Sequence, residues 1–477
     1  MSARPAAWVL FLAALFGCLQ LANVTGRDTP DSRNYLSYAL SLGGADKEEA
    51  AGRTIAYVCA SRGETASRNH SVDVRRFRAP DPGPGIRDEC RGYYDWSVGR
   101  RLEAGQTSGW TAPFMSERFM RIFEVRPGYP LLLVPFVTVL GVTWGLWAAG
   151  VVVTVVGGAL VFLVLRTVGV PVGLALTGQA LYYVLPTGAT AMRPMTEGTM
   201  MALTLAVLWG CALVLRGRAG AAGLVGVSLA LLFTVKHSQA LFLSVCLAAG
   251  LCLIGLHRRR AGRPVGAAVK TLLKVTLGAV VGVMLLTRLL PYPSESDSLQ
   301  DLLTDHFNRP DRERAWWEFL HLELNFWMEW LRRQLAEPLF LALLVAGGWG
   351  ALRRWPAFGV LLAAAAGTGV LSVAAHPDIG IGRLMVMVWL VPVVGVPLLL
   401  AELYRPRRPY PSPSLTQGLR PRTPAPQTPE GLKVRMPEGL KISRPGPTLS
   451  ARPVFEDEAV QADQRGSGGG SPQGRDG

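Results

Sequence analysis

The sequence predicts an all-α polytopic membrane protein, with about ten transmembrane helices, a long first extracytoplasmic loop and a disordered C-terminal tail. Three observations predict it. The chain of 477 residues is 49% hydrophobic and only 17% charged, with a mean hydropathy of +0.26, whereas soluble domains carry about 25% charged residues. Apolar runs of span length recur from residue 6 to residue 403. Basic residues gather at alternate ends of those runs, as retention of Lys and Arg on the cytoplasmic side requires.

The first run, 6–24, follows Arg4. It reads as a retained first span rather than a cleaved signal peptide, since no small-residue cleavage site stands out near Gly26. Leu15-Phe16-Gly17-Cys18 fits a lipoprotein cleavage site poorly.

A first extracytoplasmic loop is expected over 25–143, most of it the polar segment 25–128. That is too long for a simple connection. It opens on Gly26-Arg27-Asp28-Thr29-Pro30-Asp31, where a span emerges into water. Thr29 or Asp31 can cap a helix beginning near Pro30, or a carboxylate there can edge an active site. Met115, Phe119, Ile122 and Phe123 stand at helical spacing and suggest an interfacial helix.

From Tyr129 to Leu165 the apolar run exceeds one span. A break near Gly141 divides it into a short membrane-skimming helix, 129–140, and a span, 144–165. Further spans are expected at 170–187, 196–215, 219–235, 238–256, 267–290, 338–352, 357–375 and 384–403. Arg166, Arg216 with Arg218, His257 to Arg260, Arg353 with Arg354, and Arg405 with Arg407 and Arg408 then share one side. That side is assigned to the cytoplasm, with both termini, in a plasma membrane.

A second extracytoplasmic loop, 291–337, alternates Trp316, Trp317, Phe319, Phe326, Trp327 and Trp330 with charged residues. An interfacial helix is the default reading and a lid over a lipid-facing pocket the sharper one. The transmembrane domain therefore covers 1–403. The tail, 404–477, is rich in Pro, Arg and Gly and is expected to be disordered and cytoplasmic. It repeats Pro429-Glu430-Gly431-Leu432-Lys433 as Pro437-Glu438-Gly439-Leu440-Lys441, and either stays solvated or docks a protein or an anionic lipid.

The net charge of +15 does not imply nucleic acid, because the cations sit at span ends and in the tail. Neither a zinc spacing nor a Gly-Lys-Ser/Thr phosphate loop is present. Cys18, Cys211, Cys246 and Cys252 lie in apolar runs and read as packing residues, whereas Cys59 and Cys90 share the long loop and are candidates for a disulfide.

Charged groups at membrane depth are costly, which makes each a candidate for function. They gather on the expected outer side: Arg126, Arg193, Glu197, Lys236 with His237, and His376, Asp378 and Arg383, together with Asp28 and Asp31. Cations such as Lys236, Arg383 and Arg193 suit a lipid-linked phosphate, and a carboxylate suits deprotonation of an acceptor hydroxyl. Interfacial anchoring explains Arg126 and Arg383 equally well. His237 alone carries no metal-ligand spacing.

Four stretches resemble the family C (GT-C) polytopic glycosyltransferases, and most closely the bacterial protein mannosyltransferase and aminoarabinose transferase group. Asp31-Ser-Arg-Asn-Tyr35-Leu-Ser-Tyr-Ala39 is similar to the family's Asp-x-x-x-Tyr-x-x-x-Ala, and Arg126-Pro-Gly-Tyr129-Pro130 to the segment closing its first loop. Glu197 precedes a span as a Ser/Thr-Glu does in relatives, and Gly382-Arg383-Leu384-Met385 is similar to the family's Arg-Tyr-Leu-Leu. Val235-Lys236-His237 departs from the relatives' Thr-Arg-Pro, and Lys does not replace Arg at a bidentate phosphate site.

The resemblance covers roughly 6–403. It implies a GT-C-like bundle in the cell envelope that transfers sugar from a polyprenyl-phosphate donor to an extracytoplasmic acceptor, usually with inversion. It implies Asp31 as the base. Asp28, Tyr35, Arg126, Tyr129, Arg193, Glu197, Lys236, His237 and Arg383 are the expected substrate-binding set. No cofactor and no metal ligand are assigned, although Glu197 and His237 could orient a divalent ion. A transporter or flippase, which should show repeats meeting at the midplane, and a non-catalytic scaffold are the alternatives.

Overall fold

A computed structural model describes residues 4–290, 292–377 and 382–404. The tail from residue 405, with its expected disorder and its repeat, and Asp378 lie outside the described residues. Among the described residues all regular structure is helical. Seven helices among the described residues are long and apolar enough to cross a membrane, or eight if one bent pair counts as a single span.

In order, α1 (Pro5–Gln20) is the first apolar helix. The polar segment after it holds α2 (Ser32–Leu42), α3 (Lys47–Ser71), α4 (Gly83–Glu103) and α5 (Glu117–Glu124). The apolar bundle follows with α6 (Gly128–Thr167), α7 (Val172–Val184), α8 (Pro186–Ala191), α9 (Thr196–Leu215), α10 (Ala222–Val235), α11 (His237–Arg260) and α12 (Ala267–Leu289). The second polar segment carries α13 (Glu295–Leu303) and α14 (Ala315–Ala336). Then come α15 (Leu339–Arg354), α16 (Pro356–Ala374), a 3-10 segment Gly382–Trp389, and α17 (Leu390–Leu403).

Every expected span is helical, but their lengths differ from expectation. Val172–Val184 and the apolar helix Ala219–Val235 are shorter than span length. The last expected span begins with the 3-10 turns of Gly382–Trp389 and becomes α-helical only at Leu390. Gly141 interrupts α6 with φ 74° and ψ 174°, a conformation that glycine adopts without a Cβ penalty. The kink folds α6 so sharply that a Cβ on Gly145 would lie 2.7 Å from the Phe136 carbonyl oxygen. Small residues set the other close crossing. A Cβ on Gly350, in α15, would stand 2.5 Å from the Gly395 carbonyl oxygen in α17, and such contacts are what hold helices together where both protein and lipid are apolar.

The polar segment is a helical subdomain. Cys59 of α3 and Cys90 of α4 form a disulfide with Cα atoms 5.6 Å apart. The face of α5 assigned from spacing to a membrane surface packs into the protein instead: Phe119 and Phe123 are buried, and Phe123 meets Tyr35 of α2 edge-on at 5.2 Å. Ring stacking inside the protein offers those side chains more contact than a lipid surface does. By contrast, α14 keeps an exposed stripe of Leu320, Leu324, Met328, Leu331 and Leu335, and α15 leaves it at 89°.

One end of the bundle collects the expected cytoplasmic cations. Arg354 of α15 pairs with Glu402 of α17 at 3.1 Å and donates to the Gly169 carbonyl oxygen, while Arg216 lies 5.5 Å from the Trp355 ring. Because α9 begins beside Glu197 and ends at Arg216, the cluster described next lies at the opposite end.

Candidate active site

The site is built where α2 begins. Its first turn starts at Ser32, not Pro30, and is held by the backbone. The Asp31 carbonyl accepts from the N–H groups of Asn34 and Tyr35, and the Thr29 N–H donates to Ser32 Oγ at 2.9 Å. Asp31 occupies the N-cap position, yet its side chain makes no cap hydrogen bond. Of the two candidate caps, Thr29 or Asp31, the Asp31 side chain therefore does not cap α2. The carboxylate is turned toward the bundle instead, where Asp31 Oδ2 accepts from Arg383 Nη1 at 2.7 Å.

This pair joins the two extremes of the apolar domain and is largely withdrawn from water, its side chains 24% and 16% exposed. Arg383 projects from the 3-10 segment and also donates to the Met195 sulfur at 3.3 Å. Met195, absent from the expected set, is 1% exposed and precedes α9 directly.

Glu197 is buried in the first turn of α9 and accepts from Thr196 Oγ1 at 3.3 Å. Its charge acts on Tyr35, Tyr129, Lys236 and Arg383, which places these groups around one volume. Lys236 sits in extended backbone, φ −159° and ψ 98°, between α10 and α11. It feels Glu197, Arg126, Arg383 and Asp31 together. Arg126 reaches the Tyr35 hydroxyl at 3.4 Å. Tyr35 meets Tyr129 edge-on at 5.3 Å, and burial pushes its phenol above the ordinary value.

Gly128 brings the Arg126 and Lys236 segments together. A Cβ there would stand 2.3 Å from Thr234 Oγ1 and 2.9 Å from the Thr234 carbonyl carbon. His237 stacks edge-on against Tyr292 at 4.5 Å, its Nδ1 buried and without a protein partner.

Thus Asp31, Tyr35, Arg126, Tyr129, Glu197, Lys236 and Arg383 converge, with His237 at their margin under the charges of Arg126 and Lys236. Two expected residues do not join them. Asp28 is drawn to α3, where it accepts from Ser61 Oγ at 2.6 Å and faces Arg62 at 3.8 Å. Arg193 is exposed, with no side-chain hydrogen bond or ion pair among the described residues. No group of three His, Cys, Asp or Glu side chains gathers among the described residues, so Glu197 and His237 lack the third ligand that an all-protein divalent site needs.

Beside the 3-10 segment lies a cavity of about 410 Å³, in the bend between α14 and α15. Trp330, Phe340, Met385 and Trp389 line it, with Arg333 and Glu337 at its polar edge. Chemically, the arrangement offers one carboxylate, several cations and an apolar groove alongside. No protein-family model, no curated protein and no solved structure matches the chain.

Proposed function

We propose that the chain is an integral membrane glycosyltransferase. It transfers a sugar from a polyprenyl-phosphate donor to an extracytoplasmic hydroxyl on a glycan, lipid or protein, with inversion. The observation that carries this reading is the withdrawn Asp31–Arg383 pair at the end of the bundle opposite the arginine-rich end.

Arg383 satisfies Asp31 at rest. A donor phosphate entering beside it competes for the guanidinium, because phosphate and carboxylate accept the same planar donor array. The exchange frees the Asp31 carboxylate. It then takes the proton of the acceptor hydroxyl, whose oxygen attacks the anomeric carbon. The bond from that carbon to the phosphate oxygen breaks, and the electron pair leaves with the phosphate. Arg383 and Lys236 neutralise the charge that develops there. Arg126 holds Tyr35 and adds a third cation.

The same reading fits ten spans with both ends of the apolar domain on the cytoplasmic side. The arginine-rich end supports that orientation. The right angle between α14 and α15, with the exposed apolar stripe of α14, supports an interfacial helix. The cavity in that bend suits the first isoprene units of a lipid donor.

The test is photolabelling of the purified protein in nanodiscs with a photoreactive polyprenyl phosphate. Wild type is labelled, and Arg383→Gln and Lys236→Gln each lose most of the labelling. Labelling that is equal in all three proteins, or absent from wild type, sinks the reading.

A further inference from the structure

The turn that joins α3 to α4 carries charge and apolar surface that the site does not use. It reads Val72-Asp73-Val74-Arg75-Arg76-Phe77-Arg78. Val72, Val74 and Phe77 are 77%, 85% and 52% exposed. Arg75, Arg76 and Arg78 are exposed as well, and none of them makes an ion pair among the described residues.

The turn is nonetheless a built structure. The Asp73 carbonyl accepts from the N–H groups of Arg76 and Phe77 at 3.0 and 2.8 Å. The His70 ring meets the Ala79 carbonyl oxygen at 3.0 Å, which folds the chain back on itself. Both nearby carboxylates are engaged locally: Asp73 accepts from the Arg75 N–H at 2.9 Å, and Asp81 accepts from the Gly83 N–H and the Ser67 hydroxyl. Below the turn α3 and α4 approach closely, since a Cβ on Gly63 would stand 2.8 Å from the Gly83 carbonyl oxygen. The result is a firm knob with three uncompensated cations and three apolar side chains in the open.

Arg68 sets where the knob stands. It donates to the Asn23 side chain, and to the Thr25 carbonyl oxygen at 3.2 Å. Asn23 ends the apolar stretch Pro5–Asn23, which is long enough to cross a membrane. Arg27 returns to the same end, donating to the Asn23 carbonyl oxygen and the Gln20 side chain at 2.8 Å each, and Trp147 of α6 donates to the Gln20 carbonyl oxygen at 3.1 Å. Arg68 therefore marks the level at which α1 leaves the lipid. From Arg68 to Val72 the helix rises only about 6 Å, and the headgroup layer is about 5–7 Å deep on each side of the hydrocarbon. Whatever the tilt of α3, the knob begins within reach of the headgroups.

We propose that this turn is a lipid-surface anchor. Phe77, Val72 and Val74 enter the rim of the leaflet, and Arg75, Arg76 and Arg78 bind the phosphates of anionic phospholipids. An aromatic ring suits the membrane–water boundary, and guanidinium pairs with phosphate through parallel N–H groups. Apolar side chains interleaved with cations bind a bilayer by burial and by attraction to anionic lipid together. The apolar half has no use for a soluble polyanion, and the place beside a span end selects the bilayer. The Cys59–Cys90 bridge ties α3 to α4, and Ser61 of α3 holds Asp28 close to the start of α2. The anchor thus fixes the height of the helix that Asp31 opens, and it stands whatever chemistry Asp31 performs.

The test places the full chain in phosphatidylcholine nanodiscs, with and without phosphatidylglycerol. Each disc carries a trace of one of these lipids bearing a diazirine in its headgroup region, and adducts are located by peptide mass spectrometry. In wild type, residues 69–80 should be labelled at least fivefold more by photoreactive phosphatidylglycerol than by photoreactive phosphatidylcholine, with the preference lost at high salt. The triple variant Arg75→Gln, Arg76→Gln, Arg78→Gln should lose the preference, and Phe77→Asp should lower labelling by both lipids. Labelling of α1 should be the same in every protein, and so should the melting temperature, because every substituted side chain is exposed. A turn left unlabelled in wild type overturns the anchor. Equal labelling by the two lipids, or a preference that survives in the triple variant, overturns the assignment to anionic headgroups. None of these outcomes touches the glycosyltransferase reading.

Discussion

Replacing both members of the Asp31–Arg383 pair should cost less than the sum of the two single replacements. Two unit charges 2.7 Å apart attract by about 6 kcal/mol at an effective dielectric of about 20. Desolvation of two side chains left 24% and 16% exposed offsets much of that. The lone charge left by Arg383→Gln or Asp31→Asn keeps the desolvation cost and loses the attraction. Each single substitution should therefore destabilise by about 2–3 kcal/mol, somewhat less than the roughly 3–5 kcal/mol of a fully buried pair, because some water remains. The double variant Asp31→Asn with Arg383→Gln carries no orphan charge. Its loss should be smaller than the sum of the two by about 1–3 kcal/mol. The assay is unfolding by SDS titration in mixed micelles for the four proteins of the cycle. Effects that add to within about 0.5 kcal/mol would refute the reasoning, since they would mean that the two groups do not depend on each other.

Gly128→Val should force apart the Arg126 and Lys236 segments, since even a Cβ meets Thr234 backbone at 2.9 Å; overpacking of this kind costs about 1–3 kcal/mol, and photolabelling by the polyprenyl phosphate should fall with it. The pH dependence of stability should carry the signature of His306, whose Nδ1 lies 3.1 Å from Asp301 Oδ1. Its folded pKa is raised, so its contribution is fully present below the unfolded value of about 6.5 and is lost as pH rises through the folded value. The melting advantage of wild type over His306→Gln should accordingly be larger at pH 5.5 than at pH 8.5, and a reversed order would exclude the Asp301–His306 interaction as its source.

The helices of the apolar bundle were legible because hydrophobicity in lipid is a property of each segment alone. The break at Gly141 was legible for the same reason, since the run from Tyr129 to Leu165 is too long for one span. What depends on tertiary packing was not. The helices α3 and α4 lie in a polar segment with a weak apolar pattern and are fixed by burial of Ile55, Val58 and Val98 and by the Cys59–Cys90 bridge. The direction of α5 was misread because Phe119 and Phe123 have the same spacing whether they face lipid or Tyr35.

The site followed the same division. Unexplained charges marked Asp31, Glu197, Lys236 and Arg383 individually, since each is expensive where it stands. Which of them meet is decided by folding. Nothing local pairs Asp31 with Arg383 or separates Asp28 from it. Met195 carried no signal at all, being one methionine among apolar neighbours.

The central claim is that Asp31 is the base of a glycosyl transfer. The most direct measurement is the transfer rate of Asp31→Asn against wild type, in nanodiscs supplied with a panel of polyprenyl-phosphate sugars and hydroxyl acceptors, with donor photolabelling followed in the same samples. Asparagine keeps the size of the side chain and removes its ability to take a proton. The account predicts a loss of about 10²–10⁴-fold in rate with donor labelling retained, because Arg383 and Lys236 remain. Transfer at the wild-type rate by Asp31→Asn would contradict it.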